Sequence, residues 1–241
     1  MAIDVSLPTL SERLAAVSAR VAEAAADAGR SPAEVMIVAV SKTVSRAAVD
    51  EVHALGLRHF GENRVQEARG KFADPPLRGA TLSLIGQLQS NKARAAVHLF
   101  DRIESVDRPS LIEALARATA SVDQPLSVLL QVNIAAEGQK AGCAAEEALS
   151  LARSIVARPG LRLDGLMTIA PLVVEAEEAR PIFCALRLLR DRLREQLPNH
   201  ELATLSMGMS NDFPVAIAEG ATHVRIGRAI FGERQEHRGH G

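Results

Sequence analysis

Apolar positions along this chain follow two alternating rhythms. Leu10, Leu14, Val17 and Val21 stand three or four residues apart, which predicts a helix over 7–28 that stops at Gly29. An unbroken apolar run follows, Val35-Met36-Ile37-Val38-Ala39-Val40, and leads into Ser41-Lys42. A run without alternation suits a strand covered on both faces, as in a parallel sheet. The switch between rhythms then repeats. Strands are predicted over 35–41, 57–60, 82–85, 102–106, 126–134, 161–169, 202–207 and 223–226. Helices are predicted over 47–55, 63–72, 90–99, from Pro109, over 144–157, 175–197 and 212–219, and from near Ala229.

Strands that alternate with helices predict parallel pairing with helical crossovers. Eight such units in 241 residues match one (β/α)8 TIM barrel, preceded here by an extra helix. An open doubly wound sheet normally carries a glycine-rich turn after its first strand, and Ser41-Lys42-Thr43-Val44-Ser45 has none. The expected organisation is one α/β domain over 1–232 and a polar, frayed tail over 233–241.

Composition narrows the function. The chain is 47% hydrophobic and 24% charged, which supports a packed core rather than disorder. A net charge of −1 gives no reason to expect nucleic acid or an anionic membrane as partner. There is no Trp and no Tyr, so base-stacking platforms and tyrosine acid–base chemistry are absent. Cys143 and Cys184 lie far apart in helix-like sequence and are expected as free buried thiols. No signal pattern opens the chain, and no stretch approaches the roughly 20 apolar residues of a membrane span. A cytoplasmic protein is expected.

Barrels of this kind place chemistry at the carboxyl ends of their strands. Lys42 ends the first. A desolvated lysine stem favours the neutral amine, which attacks aldehydes. A solvated lysine closing a strand would give the same sequence. The seventh strand runs into Ser206-Met207-Gly208-Met209-Ser210-Asn211-Asp212, and the eighth into Gly227-Arg228. Small hydroxyls and glycines ahead of helix starts suit a phosphate, although ordinary helix caps share the pattern. Arg225 falls on the inward alternation of the eighth strand. It needs an acceptor, either a carboxylate such as Glu62 or Glu104 or a bound ligand. Lysine, phosphate cradle and inward arginine together suit pyridoxal 5′-phosphate. A cofactor-free Schiff-base aldolase would use the same cradle for a substrate phosphate.

Eight segments carry a closer likeness: AVSKTVS (39–45), FGENRVQEA (60–68), IGQLQSNKAR (85–94), ESVDR (104–108), LLQVNIAAEGQKAG (129–142), GLMTIAP (165–171), LSMGMSNDF (205–213) and VRIGRAIFG (224–232). With them the chain resembles the pyridoxal phosphate homeostasis protein family, related in fold to the amino-terminal barrel of alanine racemase. The resemblance implies a protein that binds pyridoxal 5′-phosphate covalently and buffers or delivers it, without established turnover. Apo forms of enzymes that use this cofactor would be recipients. It makes Lys42 the Schiff-base lysine and assigns Ser206, Gly227 and Arg228 to the phosphate cradle. Arg225 becomes the ring-nitrogen partner, and Asn63 and Met167 become pocket walls.

Three positions depart from the family pattern. Arg228 stands where threonine is common, Ser83 where histidine is common, and Arg64 where tyrosine is frequent. The competing activity is an amino-acid racemase-like enzyme. It would need a second base in place of the missing tyrosine, and His59 is the histidine considered for that role. Lys140, in EGQKAG (137–142), is expected as a solvated lysine at a mobile loop edge. A monomer is expected.

Overall fold

The structure, a computed structural model, describes residues 7–138 and 141–232. The expectations for Lys140 and for the tail over 233–241 lie outside these residues.

Eight strands form one closed parallel barrel in sequence order: β1 (Met36–Val40), β2 (His59–Glu62), β3 (Thr81–Leu84), β4 (Arg102–Val106), β5 (Leu126–Gln131), β6 (Leu161–Met167), β7 (Thr204–Ser206) and β8 (His223–Ile226). β1 closes the ring against β8, with Val38 beside Arg225 and Ala39 beside Ile226. Around it lie α1 (Leu10–Asp27), α2 (Arg46–Ala54), α3 (Val65–Phe72), α4 (Ala93–Val97), α5 (Pro109–Thr119), α6 (Ala148–Val156), α7 (Arg180–Gln196), α8 (Phe213–Ala218) and α9 (Arg228–Phe231). The expected (β/α)8 barrel with an extra leading helix is borne out.

The leading helix begins at a capping box, with Thr9 and Glu12 each holding the other's backbone N–H. Its stripe of Leu14, Val17, Val21 and Ala25 is buried. Each of the larger side chains contributes about 2 kcal/mol by leaving water. β5 is buried at every position, which explains its unbroken apolar sequence. β6 and β7 approach so closely at Gly165, where φ is +157°, that an added Cβ would lie 1.9 Å from the Thr204 carbonyl oxygen. Glycine is required there.

The strand predicted over 57–60 is displaced to His59–Glu62. An apolar pattern stops at Phe60, whereas the strand continues because the buried Glu62 carboxylate finds partners in Ser41 and Lys71. Cys143 is a free buried thiol, and burial pushes its pKa up to about 12. Cys184 is free but only half-buried, so the expectation of two buried thiols holds for Cys143 alone. Its helix face leaves it at the edge of the core.

A polar cluster closes the amino-terminal mouth of the barrel. Arg102 lies 2.8 Å from His223 Nε2, donates to Ser127 Oγ at 2.9 Å and faces Asp164 at 3.6 Å. His59 opens β2 at this same mouth, within the influence of Arg102 and Asp101. Lys42 follows the carboxyl end of β1, at the opposite mouth. His59 is therefore unable to serve as a second base beside Lys42. Sequence could not separate the two, because a strand's end is fixed only once its boundaries are known.

This cluster sets a pH response. Burial, helped by Arg102, holds the His223 imidazole down at about 3. The unfolded chain protonates that histidine below about 6.5, where the folded chain does not, so stability is lost as pH falls from there. Burial works against ionisation of Asp164, but hydrogen bonds from Arg162 and Ser127 outweigh it and lower its pKa, which acts in the same direction. Glu62 and Asp212, raised by burial, act with the opposite sign. The comparison is therefore between variant and parent. Urea midpoints measured from about pH 7 to about pH 4 should decline less steeply in His223→Gln than in the wild type. Parallel curves would show that another group sets the slope.

Candidate cofactor site

The carboxyl-terminal mouth of the barrel holds a cavity of about 820 Å³, a size suited to a small organic ligand. Lys42, Arg225, Gly227 and Arg228 all line it. The pairing of β1 with β8 produces this convergence, because it sets the ends of the first and last strands side by side. Gly227 passes so near β1 that an added Cβ would sit 3.2 Å from the Val40 carbonyl oxygen.

Lys42 is half-buried just beyond β1. Its neighbour Thr43 has φ +62°, in the left-handed region that non-glycine residues rarely occupy. The adjacent Ser41 hydroxyl donates to Glu62 Oε1 at 2.7 Å. Glu62 is fully buried and also accepts from Lys71 Nζ at 2.8 Å. Burial raises the Glu62 pKa, and the Lys71 and Ser41 hydrogen bonds oppose the rise.

Arg225 reaches the cavity from β8. Its guanidinium donates to Ser206 Oγ at 2.7 Å and to the Thr168 carbonyl at 2.7 Å. The Ser206 hydroxyl in turn donates to Glu104 Oε2 at 2.6 Å. Buried Glu104 thus balances Arg225 through a serine rather than by direct contact. Among the described residues Glu104 Oε1 has no hydrogen-bond partner. An arginine carries five N–H donors, so donors remain for an acceptor in the cavity. Both alternatives left open for Arg225 are therefore present in part: a carboxylate stands behind it and a cavity in front. Glu62 is not its partner.

The remaining predicted positions separate into two sets. Arg228 is exposed at the cavity rim as the first residue of α9. Ser206, Met167 and Asn63 are not among the residues lining the cavity. Ser206 is fully buried between Glu104 and Arg225. Met167 ends β6 beside Ser206, also fully buried. Asn63 is half-buried, with its carbonyl oxygen against Gly86, where a Cβ would come within 2.3 Å. The segment after β7 instead brings Met209, Ser210, Asn211 and Asp212 to the cavity. Gly208, with φ +92°, turns it tightly enough that an added Cβ would lie 2.6 Å from Ala216 Cβ. Asp212 Oδ1 accepts the Met209 N–H at 2.5 Å, and burial raises the Asp212 pKa.

Sequence reasoning missed the contribution of α1, whose Arg13 lines the cavity, and the set of Glu62, Glu67 and Lys71. The four-residue spacing of Glu67 and Lys71 on a predicted helix was the available signal. Among the described residues no cluster of His, Cys, Asp and Glu could hold a metal ion, and no helix is long and apolar enough to cross a membrane.

Residues 13–235 match the family model described as alanine racemase, N-terminal domain. The pyridoxal phosphate homeostasis protein of Pseudomonas aeruginosa is 47% identical over 231 residues, covering 95% of this chain and 97% of that protein. That of Escherichia coli K12 is 40% identical, covering 93% of this chain and 97% of its own. Among solved structures, PipY of Synechococcus elongatus with pyridoxal phosphate bound superposes with a TM-score of 0.81 at 39% identity, covering 93% of this chain and all of its own. The cavity-lining lysine and arginines thus sit on a barrel whose sequence is matched over most of its length, and the chain belongs to the pyridoxal phosphate homeostasis protein family.

Proposed function

We propose that this chain holds pyridoxal 5′-phosphate covalently on Lys42 and buffers or delivers it to apo-enzymes, as a cytoplasmic monomer. The observation that carries the proposal is the convergence of Lys42, Arg225, Gly227 and Arg228 on one cavity at the carboxyl-terminal mouth. The PipY relative supports it, since its structure contains that cofactor.

The residues present fit the group. When bound, pyridoxal 5′-phosphate supplies an aldehyde that condenses reversibly with a primary amine. Lys42 provides the amine. Gly227 offers backbone at close range, and the exposed Arg228 offers a guanidinium to phosphate where family members commonly have a hydroxyl. Arg225 presents donors only, so a ring nitrogen facing it must accept and stay unprotonated. Such a ring is a weak electron sink, which favours storage over carbanion chemistry. Asn63 and Met167 support the barrel wall behind the cavity, and Ser206 steadies Arg225. On this reading residues 1–232 act as one cofactor-binding domain.

Two measurements test this reading. The purified protein, given pyridoxal 5′-phosphate, should show a band near about 420 nm that borohydride fixes to Lys42 and that Lys42→Ala lacks. A band that persists in Lys42→Ala would refute the assignment. Ser206→Ala should cost about 2 kcal/mol of stability by urea denaturation, since it strips the remaining partner from Glu104. A change under about 0.5 kcal/mol would show that the Glu104–Ser206–Arg225 link holds nothing together.

A further inference from the structure

Lys42 lies between two peptide groups, and both are gripped from α3. The Lys71 ammonium donates to the Ser41 carbonyl at 2.6 Å, just before Lys42. The Glu67 carboxylate accepts the Thr43 N–H, just after it. Glu67 and Lys71 are themselves an ion pair at 3.4 Å, one helical turn apart. Lys71 is only 7% exposed, and it spans from Glu67 to the fully buried Glu62 at 2.8 Å. The Lys71–Glu62 end of this set is shielded from water and the Glu67–Thr43 end is exposed, but both peptide contacts are charge-assisted hydrogen bonds, which are strong and directional. They hold Thr43 at its unfavourable φ of +62°, a conformation that persists only where the surroundings impose it.

We infer that Glu67 and Lys71 are positioning residues that clamp the backbone on either side of Lys42 and thereby aim its amine into the cavity. Neither of them lines the cavity. They act through Lys42 alone and leave the rest of the ligand's contacts untouched. The inference rests on the proposed role of Lys42. It adds that the geometry of the amine is set by two backbone hydrogen bonds from α3, outside the cavity.

The test uses the full-length protein freed of cofactor, as wild type, Glu67→Ala and Glu67→Gln. The first readout is the rate at which the band near about 420 nm grows after pyridoxal 5′-phosphate is added. The second is binding of pyridoxine 5′-phosphate, whose alcohol cannot join an amine. Glu67→Ala removes the Thr43 acceptor and should slow band growth at least about tenfold, while pyridoxine 5′-phosphate still binds within about twofold of wild type. Glu67→Gln keeps an acceptor oxygen and should restore the rate to within about threefold of wild type. Wild-type band growth in Glu67→Ala would overturn the clamp. So would a matching loss of pyridoxine 5′-phosphate binding, or a glutamine variant no faster than the alanine one. If the wild type itself forms no Lys42-dependent band, the parent reading fails first and takes this inference with it.

Discussion

The site depends on one interaction, the pairing of the first strand with the last. With Val38 beside Arg225 and Ala39 beside Ile226, the chain beyond each strand emerges at the same place. Lys42 and Gly227, nearly a whole chain apart in sequence, then share one cavity. Without closure the lysine would end a strand in open solvent, and Arg225 would keep Ser206 and Thr168 but lose the lysine as a neighbour across the cavity. Closure also brings the Val40 carbonyl oxygen within 3.2 Å of the place a Cβ at position 227 would take. Fold and site are therefore one constraint, since the hydrogen bonds that complete the barrel also assemble the lysine and the arginines.

The barrel's interior bears a second constraint, the burial of charge. Glu62, Glu104 and Arg225 are almost fully excluded from water. A buried charge without partners is strongly destabilising. Here each is linked in a short relay. Glu62 takes Ser41 and Lys71, and Glu104 takes Ser206, which takes Arg225. Apolar residues of similar size would pack the same volume with less demand on geometry. What the relays supply is fixed orientation close to Lys42 and Arg225. One oxygen of each carboxylate remains without a partner among the described residues. Such incomplete satisfaction is expected where structure serves a site rather than stability alone.

Much of this was legible in the sequence because its signals are local. Continuous apolar runs announce buried parallel strands, helical stripes announce the outer layer, and a lysine after the first run marks a strand end. All eight strands follow from periodicity. Their ends do not: β2 extends through Gly61 and Glu62 because a lysine on the next helix satisfies a charge that pattern alone reads as exposed. The site divides in the same way. Lys42, Arg225, Gly227 and Arg228 occupy strand ends, where the fold class itself points. The clamp on Lys42 and the serine between Glu104 and Arg225 are long-range contacts, visible only when register and rotamer are known. Arg13 belongs to a helix ahead of the barrel, where nothing in its own segment points to the cavity.

The distribution of acid–base groups bears on what the proposed cofactor would do here. Carbanion enzymes need a proton donor and acceptor close to the reacting carbon. The histidines at 59 and 223 stand at the far mouth, and burial keeps the His223 pKa at about 3. Cys143, with a pKa pushed up to about 12, supplies no thiolate. Asp212 is the carboxyl among the described residues that line the cavity, and one of its oxygens is taken by the Met209 N–H. Arg225 is a permanent donor whose guanidinium is locked by Ser206 and Thr168, so it cannot give up a proton to a reacting centre. An amine, a donor-only guanidinium and a tightly turned loop can hold an aldehyde-bearing phosphate.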